Sequence, residues 1–267
     1  MRMFWKQADL EISSFEDWEK IAREKKAKDW VDGRSMKECA HSWFRGGGPD
    51  LPAEIRNLLN SNSLTDGLDV ETVWIEREIR FDEYRGGKCN ADAALVGTGS
   101  SGRRIAVLIE AKTDEPYGAT IEQSLDSAEK KKEENPASRK LERVNELCEG
   151  LCGKPPTYSE ISPLRYQLFT ATAGAIALAE TENGTAAVVI SHTFVPKSPT
   201  PKTEGKNERN RRDFCDFVCR IAQRNVEKEE LDDGLIKIAP SVLPPKLEKT
   251  GIDLLLGKTE VEKHAAD

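Results

Sequence analysis

The chain predicts an α/β fold with helices flanking a small sheet, and three observations say so. Short apolar runs divided by glycine turns occupy the middle of the chain, an apolar stretch of helical length follows them, and the β-branched run Val188-Val189-Ile190 comes after that. The resulting order is helix, three strands, helices, strand, helix. At 267 residues and 37% hydrophobic composition the chain can bury a sizeable core. Its charged residues, 33% of the whole, are mixed in sign and spread among apolar runs, a texture that excludes global disorder.

Taken in order, Phe15 to Asp29 and Met36 to Phe44 carry apolar residues at helical spacing, with Ser13 or Ser14 available to cap the first. Gly46-Gly47-Gly48-Pro49 breaks the pattern, and Pro52 to Leu59 reads as a short helix with proline in its first turn. After the polar loop Asn60 to Gly67, the segments Val70 to Phe81, Ala91 to Val96 and Ile105 to Ala111 read as an antiparallel meander. It turns at Arg85-Gly86-Gly87 and again between Gly97 and Arg104. Helices are expected over Ile121 to Glu134, Ser138 to Leu151 and Leu164 to Ala179, the last buried through the small residues Ala171, Ala173, Gly174 and Ala175. Ala186 to Phe194 is a fourth strand, Pro196 to Lys206 a loop, and Asn207 to Val226 a further helix. The organisation is then an N-terminal helical extension (1–50) packed on an α/β core (51–226), followed by an irregular, proline-interrupted tail (227–267).

Composition narrows the function classes. Met1 to Leu10 lacks an apolar stretch of signal-peptide length, and six dispersed cysteines suit reduced thiols, so a cytoplasmic location is expected. No run approaches the roughly 18 apolar residues a membrane span requires. The formal charge of −7 excludes a protein coated in positive potential, although nucleic acid needs only a local basic face.

The chemistry-bearing constellation is Asp92, Glu110 and Lys112. Glu110 and Lys112 stand two apart at the end of Ile105-Ala106-Val107-Leu108-Ile109, so on a strand they emerge on one face. Asp92 begins the preceding strand, and a hairpin between them brings it beside that end. Two carboxylates can hold Mg²⁺ or Mn²⁺, while a lysine orients a water or stabilises charge on a phosphate. A third acid would complete the shell: Glu54 on the preceding helix is preferred, with Glu76 or Glu78 as substitutes. The Glu-x-Lys spacing alone is unspecific, since Glu24 with Lys26, Glu129 with Lys131 and Glu204 with Lys206 share it. What separates Glu110 is its apolar lead-in and the upstream aspartate. The competing reading is a surface cross-strand ion pair, worth ~0.2 to 1 kcal/mol.

Asp92 followed by Glu110-Ala111-Lys112 resembles the signature of the PD-(D/E)xK nuclease superfamily, over roughly Pro52 to Phe194. The resemblance implies a restriction-endonuclease-like core: helix, three-strand antiparallel meander, crossover helices and fourth strand, here with extra N- and C-terminal helical segments. It also implies a Mg²⁺-dependent phosphodiester hydrolase cutting DNA, or less often RNA, with Asp92 and Glu110 as metal ligands and Lys112 as catalytic lysine. Ala91 stands where the family often has proline before the aspartate, and the chain carries extra helix before its fourth strand. Family members also place glutamine or a basic residue on the crossover helix, a role open to Arg165 or Gln167. A homodimer is compatible with duplex cutting. The alternative is an inactive module of the same fold that binds nucleic acid or a protein partner.

Other motifs carry less. Gly97-Thr98-Gly99-Ser100-Ser101-Gly102 matches a dinucleotide fingerprint, but that fingerprint needs a helix after it and here a strand is expected. It reads as a hairpin tip whose Arg103 and Arg104 can touch a phosphate backbone. Cys148 with Cys152 and Cys215 with Cys219 lie four apart, a spacing better suited to buried thiols than to a metal knuckle. His41, His192 and His264 are too scattered for a triad. Lys197, Lys202, Lys206, Arg209, Arg211 and Arg212 form a basic-leaning stretch, interrupted by Glu204 and Glu208, that is as well explained by a solvated loop.

Overall fold

The computed structural model describes residues 1–6, 10–84, 87–239 and 250–264; the turn expected at Arg85 and Gly86 lies outside them. The described residues form β1 (Arg2–Trp5), β2 (Leu10–Glu11), α1 (Phe15–Lys26), α2 (Ser35–Trp43), α3 (Ala53–Asn60), β3 (Asp69–Ile79), β4 (Cys89–Thr98) and β5 (Arg104–Lys112). They continue with α4 (Ile121–Glu134), α5 (Lys140–Cys152), α6 (Tyr166–Thr181), β6 (Ala186–Val195), α7 (Pro201–Ala222), α8 (Lys228–Asp233), β7 (Ile236–Lys237) and β8 (Asp253–Glu262).

The strands make one mixed sheet in the order β2-β1-β3-β4-β5-β6-β8-β7. β3, β4 and β5 pair antiparallel as the glycine turns predict, whereas β6 joins β5 in parallel. β5 is buried from Ile105 to Lys112 and β6 from Ala186 to Phe194, the pattern of central strands covered on both faces. One face packs against α4, α5, α6 and α7, the other against α1, α2 and α3. A Cβ on Gly174 of α6 would sit 2.9 Å from the Cys89 side chain, so the small-residue run does bring that helix close to the strands. Ser14 caps α1 and Thr120 caps α4, each in a reciprocal capping box. No helix among the described residues is long and apolar enough to cross a membrane.

Four expectations need correction. The tail is not irregular where it is described: α8, β7 and β8 occupy it, and β8 pairs in parallel with β6 along its full length, from Ala186↔Asp253 to Val195↔Glu262. The half-polar strand hides this, because Leu254, Leu255 and Leu256 are buried but the residues after Gly257 grow progressively more exposed. At Gly257 a Cβ would meet the Leu235 side chain at 2.6 Å, so a larger residue there would force that leucine to shift. The N-terminal extension is not purely helical, since β1 adds to the sheet in parallel with β3. The loop to Lys206 ends early: Pro201 stands in the first turn of α7, where a missing N–H costs nothing, and the Thr200 side chain accepts from the Thr203 amide. Pro52 is the N-cap of α3 and not a residue of its first turn.

Candidate functional site

Two strand irregularities build the site. In β3, Val73 and Ile75 face α1 and α2, but Ile79 faces the opposite side although it lies four residues on. The flip occurs at Glu76, whose φ of 55° is left-handed. In β4 the same reversal separates Ala91 from Ala93, with Asp92 between them. The ladder pairs Ile75 with Ala93 and Arg77 with Ala91, so Glu76 and Asp92 stand opposite each other at the flip. On its other side β4 pairs with β5 as far as Ala93↔Ile109 and then parts from it. Asp92 fills the opening, its Oδ2 accepting from the Ala111 amide at 2.8 Å.

Glu110 and Lys112 share the face of Ala106 and Leu108, under α6. Gln167 of α6 donates its amide to Glu110 Oε2 at 2.6 Å, and Lys112 Nζ lies 3.5 Å from the same oxygen. The other oxygen, Oε1, is buried with no hydrogen-bond partner among the described residues. Burial pushes the Glu110 pKa up; the Lys112 charge opposes the rise and the Asp92 charge adds to it. Burial likewise raises the Asp92 pKa against the pull of Lys112, with Glu76 adding to the rise. For Lys112 burial works against the ammonium, but Glu110 and Asp92 together hold its pKa above the ordinary lysine value, so it stays charged. The ammonium stands 5.4 Å over the Tyr117 ring, and the Tyr117 hydroxyl is hydrogen-bonded to Ser191. Burial takes that hydroxyl up to about 12.

Of the residues singled out from sequence, Asp92, Glu110, Lys112 and Gln167 are brought together. Glu54 is not. Its Oε1 meets His192 Nε2 at 3.0 Å, and Arg45 reaches its two oxygens at 3.1 and 3.3 Å. His192 shares the register row of Ala111, which faces away from Glu110. Burial disfavours the Glu54 charge, but hydrogen bonds from His192 and Arg45 draw its carboxyl down to about 2. Glu78 points outward to Lys6 and Lys88, whereas Glu76, named from sequence as a substitute, is 3% exposed beside Asp92. Its signal was the charged run Glu76-Arg77-Glu78 that interrupts the alternation of β3. Among the described residues no three or more His, Cys, Asp or Glu side chains form a ready-made metal shell.

The arginines expected on a phosphate backbone have partners within the fold. Arg103 binds Asp253 at 2.6 Å and the Thr185 carbonyl at 2.9 Å; Arg104 binds Glu71. Both lie at the start of β5, about 20 Å from Glu110 at the rise of a strand. Arg165 is held by Asp213 at 2.8 Å and the Gly118 carbonyl at 3.1 Å. In the basic-leaning stretch Lys206 pairs with Asp114 and Arg211 with Glu260 and Glu204. After Gly102 the chain enters β5, without the helix a dinucleotide loop needs. The six cysteines are free thiols; Cys148 and Cys152 are buried, and Cys219 accepts from the Val226 amide at 3.3 Å.

No curated protein and no solved structure matches the chain. The sequence profile of a family described as a domain of unknown function, DUF6946, matches residues 11–263, which takes in every strand from β3 to β8 and the whole site. The chain therefore belongs to the DUF6946 family.

Proposed function

We propose that the chain is a Mg²⁺- or Mn²⁺-dependent phosphodiester hydrolase acting on nucleic acid, with DNA as the expected substrate. The observation that carries this reading is the buried Oε1 of Glu110, without a hydrogen-bond partner among the described residues, where burial and the Asp92 charge raise the proton affinity of Glu110 next to a charged lysine. A buried oxygen without a partner is costly unless something else satisfies it, and two crowded carboxylates are what a divalent cation neutralises. The donor set therefore fits a hard cation held by Asp92 and Glu110, with water and substrate oxygens completing the shell. Bound there, the ion would supply Lewis-acid polarisation of the phosphate and charge neutralisation.

The chain's own groups have separate tasks. Gln167 occupies Glu110 Oε2 and so leaves Oε1 free to bind. The Ala111 amide fixes Asp92 through Oδ2. Lys112, charged and fixed over Tyr117, can donate to a phosphate oxygen as negative charge builds on it, or orient the attacking water. Incubation of the full chain with linear, circular and single-stranded DNA and with RNA, in Mg²⁺ or Mn²⁺, tests the proposal. Lys112→Ala is expected to lower cleavage by ~10²-fold or more while the fold survives. Absence of cleavage, together with absence of metal affinity, would sink it.

A second reading is favoured by the lack, among the described residues, of three acids grouped to hold a metal and by the formal charge of −7: an inactive module in which Glu110 and Lys112 remain an ion pair. Ligand binding that persists after Asp92→Ala and in excess chelator would select it.

A further inference from the structure

Resting on the metal-site reading above, we propose that Lys26, in the last turn of α1, is a built-in countercation that limits the carboxylate cluster to one divalent ion. Glu76 faces Asp92 across the β3–β4 ladder, in a left-handed conformation that non-glycine residues seldom adopt inside a strand. That turn of the backbone holds a 3% exposed carboxylate against Asp92, a placement that like charges on facing strand positions oppose. Lys26 relieves it. It reaches over from α1 to put Nζ 2.6 Å from Glu76 Oε2, an oxygen that Asn90 Nδ2 also approaches at 2.6 Å. Asp92 acts electrostatically on the same ammonium.

The cluster thus has two halves sharing Asp92. On the Glu110 side Lys112 and Gln167 both approach Oε2 and leave Oε1 without a partner among the described residues, whereas on the Glu76 side the Lys26 ammonium is in close contact with the carboxylate. A second divalent ion near Asp92 and Glu76 would have to displace the ammonium, against its short contact and against the repulsion of the first ion. Lys26 thereby gives the site a second fixed positive charge without a second metal, and it ties the N-terminal helix to the centre. The other Glu-x-Lys match in α1, Glu24 with Lys26, has its place here through the lysine alone, because Glu24 pairs with Lys25 on the surface.

Mn²⁺ bound per chain, counted from the free-ion electron paramagnetic resonance signal, tests this on the full-length wild type, Lys26→Met and the double variant Lys26→Met/Glu76→Gln. The expected counts are one, two and one. The second ion of Lys26→Met should bind at least about tenfold more weakly than the first, since it repels an ion already bound. Two ions on the wild type, or one on both the wild type and Lys26→Met, would overturn the inference and leave the metal-site reading standing. No ion on the wild type would remove both. Methionine keeps the aliphatic stem of Lys26, so an unfolded Lys26→Met would make the lysine a stability element and likewise overturn the inference.

Discussion

Glu110→Gln is expected to stabilise the metal-free protein, by an amount that grows with pH. Burial lifts the Glu110 pKa above its ordinary 4.5, against the pull of Lys112 and with the push of Asp92. A carboxyl whose folded pKa lies above its unfolded value binds more protons folded than unfolded between the two. Stability therefore falls as pH climbs through that window. For one group the slope is at most about 1.4 kcal/mol per pH unit. From about pH 5 to about pH 7 the wild type would thus lose up to about 3 kcal/mol that the glutamine variant retains. Asp92 contributes a slope of the same sign in both proteins, so the growth of the difference with pH reports Glu110 together with its coupling to Asp92. Glutamine nearly matches the volume of glutamate, and little cavity cost confuses the comparison.

Urea unfolding in chelator at about pH 5, 6 and 7 measures that difference. If it stays flat or narrows as pH rises, the raised affinity of Glu110 for its proton is wrong. The surface ion-pair reading gives the opposite sign, because a carboxylate stabilised mainly by Lys112 has a lowered pKa and its stabilisation disappears as pH falls. Adding Mn²⁺ sharpens the contrast. At a hundred times its dissociation constant an ion stabilises the wild type by about 2.7 kcal/mol and should leave Glu110→Gln nearly unchanged.

Three further outcomes follow from the geometry. Glu54→Gln weakens the His192 and Arg45 contacts and should destabilise the fold by ~1 to 3 kcal/mol in urea, with Mn²⁺ affinity unchanged; lost affinity would return Glu54 to the site. Gly257→Ala places a methyl group 2.6 Å from Leu235 Cδ2 and should cost ~1 to 3 kcal/mol by thermal denaturation; an unchanged midpoint would contradict the docking of β8 on that leucine. Arg103→Ala should leave the salt dependence of DNA binding untouched, because its guanidinium is spent on Asp253 and Thr185; a slope reduced by about one would put it on a phosphate instead.

Much of this architecture is legible because its physics is local. The β3–β5 meander follows from apolar runs and glycine turns, and the burial of α6 from Ala171, Gly174 and Ala175, whose small side chains let it approach the strands; Ala173 of the same run is only half-buried. What escapes is pairing decided by distant partners. Arg2 to Trp5 is too short to declare a strand until β3 stands beside it. Asp253 to Glu262 is half polar, and it becomes a strand because β6 offers ten consecutive register positions. Pro201 reads as a breaker from composition and as a helix start once Thr200 caps it.

The site divides in the same way. Glu110 and Lys112 share a face by strand periodicity, which needs no partner. Asp92 needs one: under strict alternation it would share the face of Ala94 and Val96, whereas the reversal at Glu76 and Asp92 sets it in the opening between β4 and β5, within reach of the Ala111 amide. Period-two reasoning cannot supply that reversal, because a left-handed glutamate in a strand is unfavourable by itself and persists only where its surroundings compensate. Lys26 and Asn90 provide that compensation through two contacts of 2.6 Å. The same logic explains the failure of Glu54, which satisfies every local criterion for a third acid but lies across the sheet, where the buried His192 takes up its carboxylate. The acid that stands opposite Asp92 is thus the one whose backbone is least expected in a strand, and Lys26 of the N-terminal helix is its partner there.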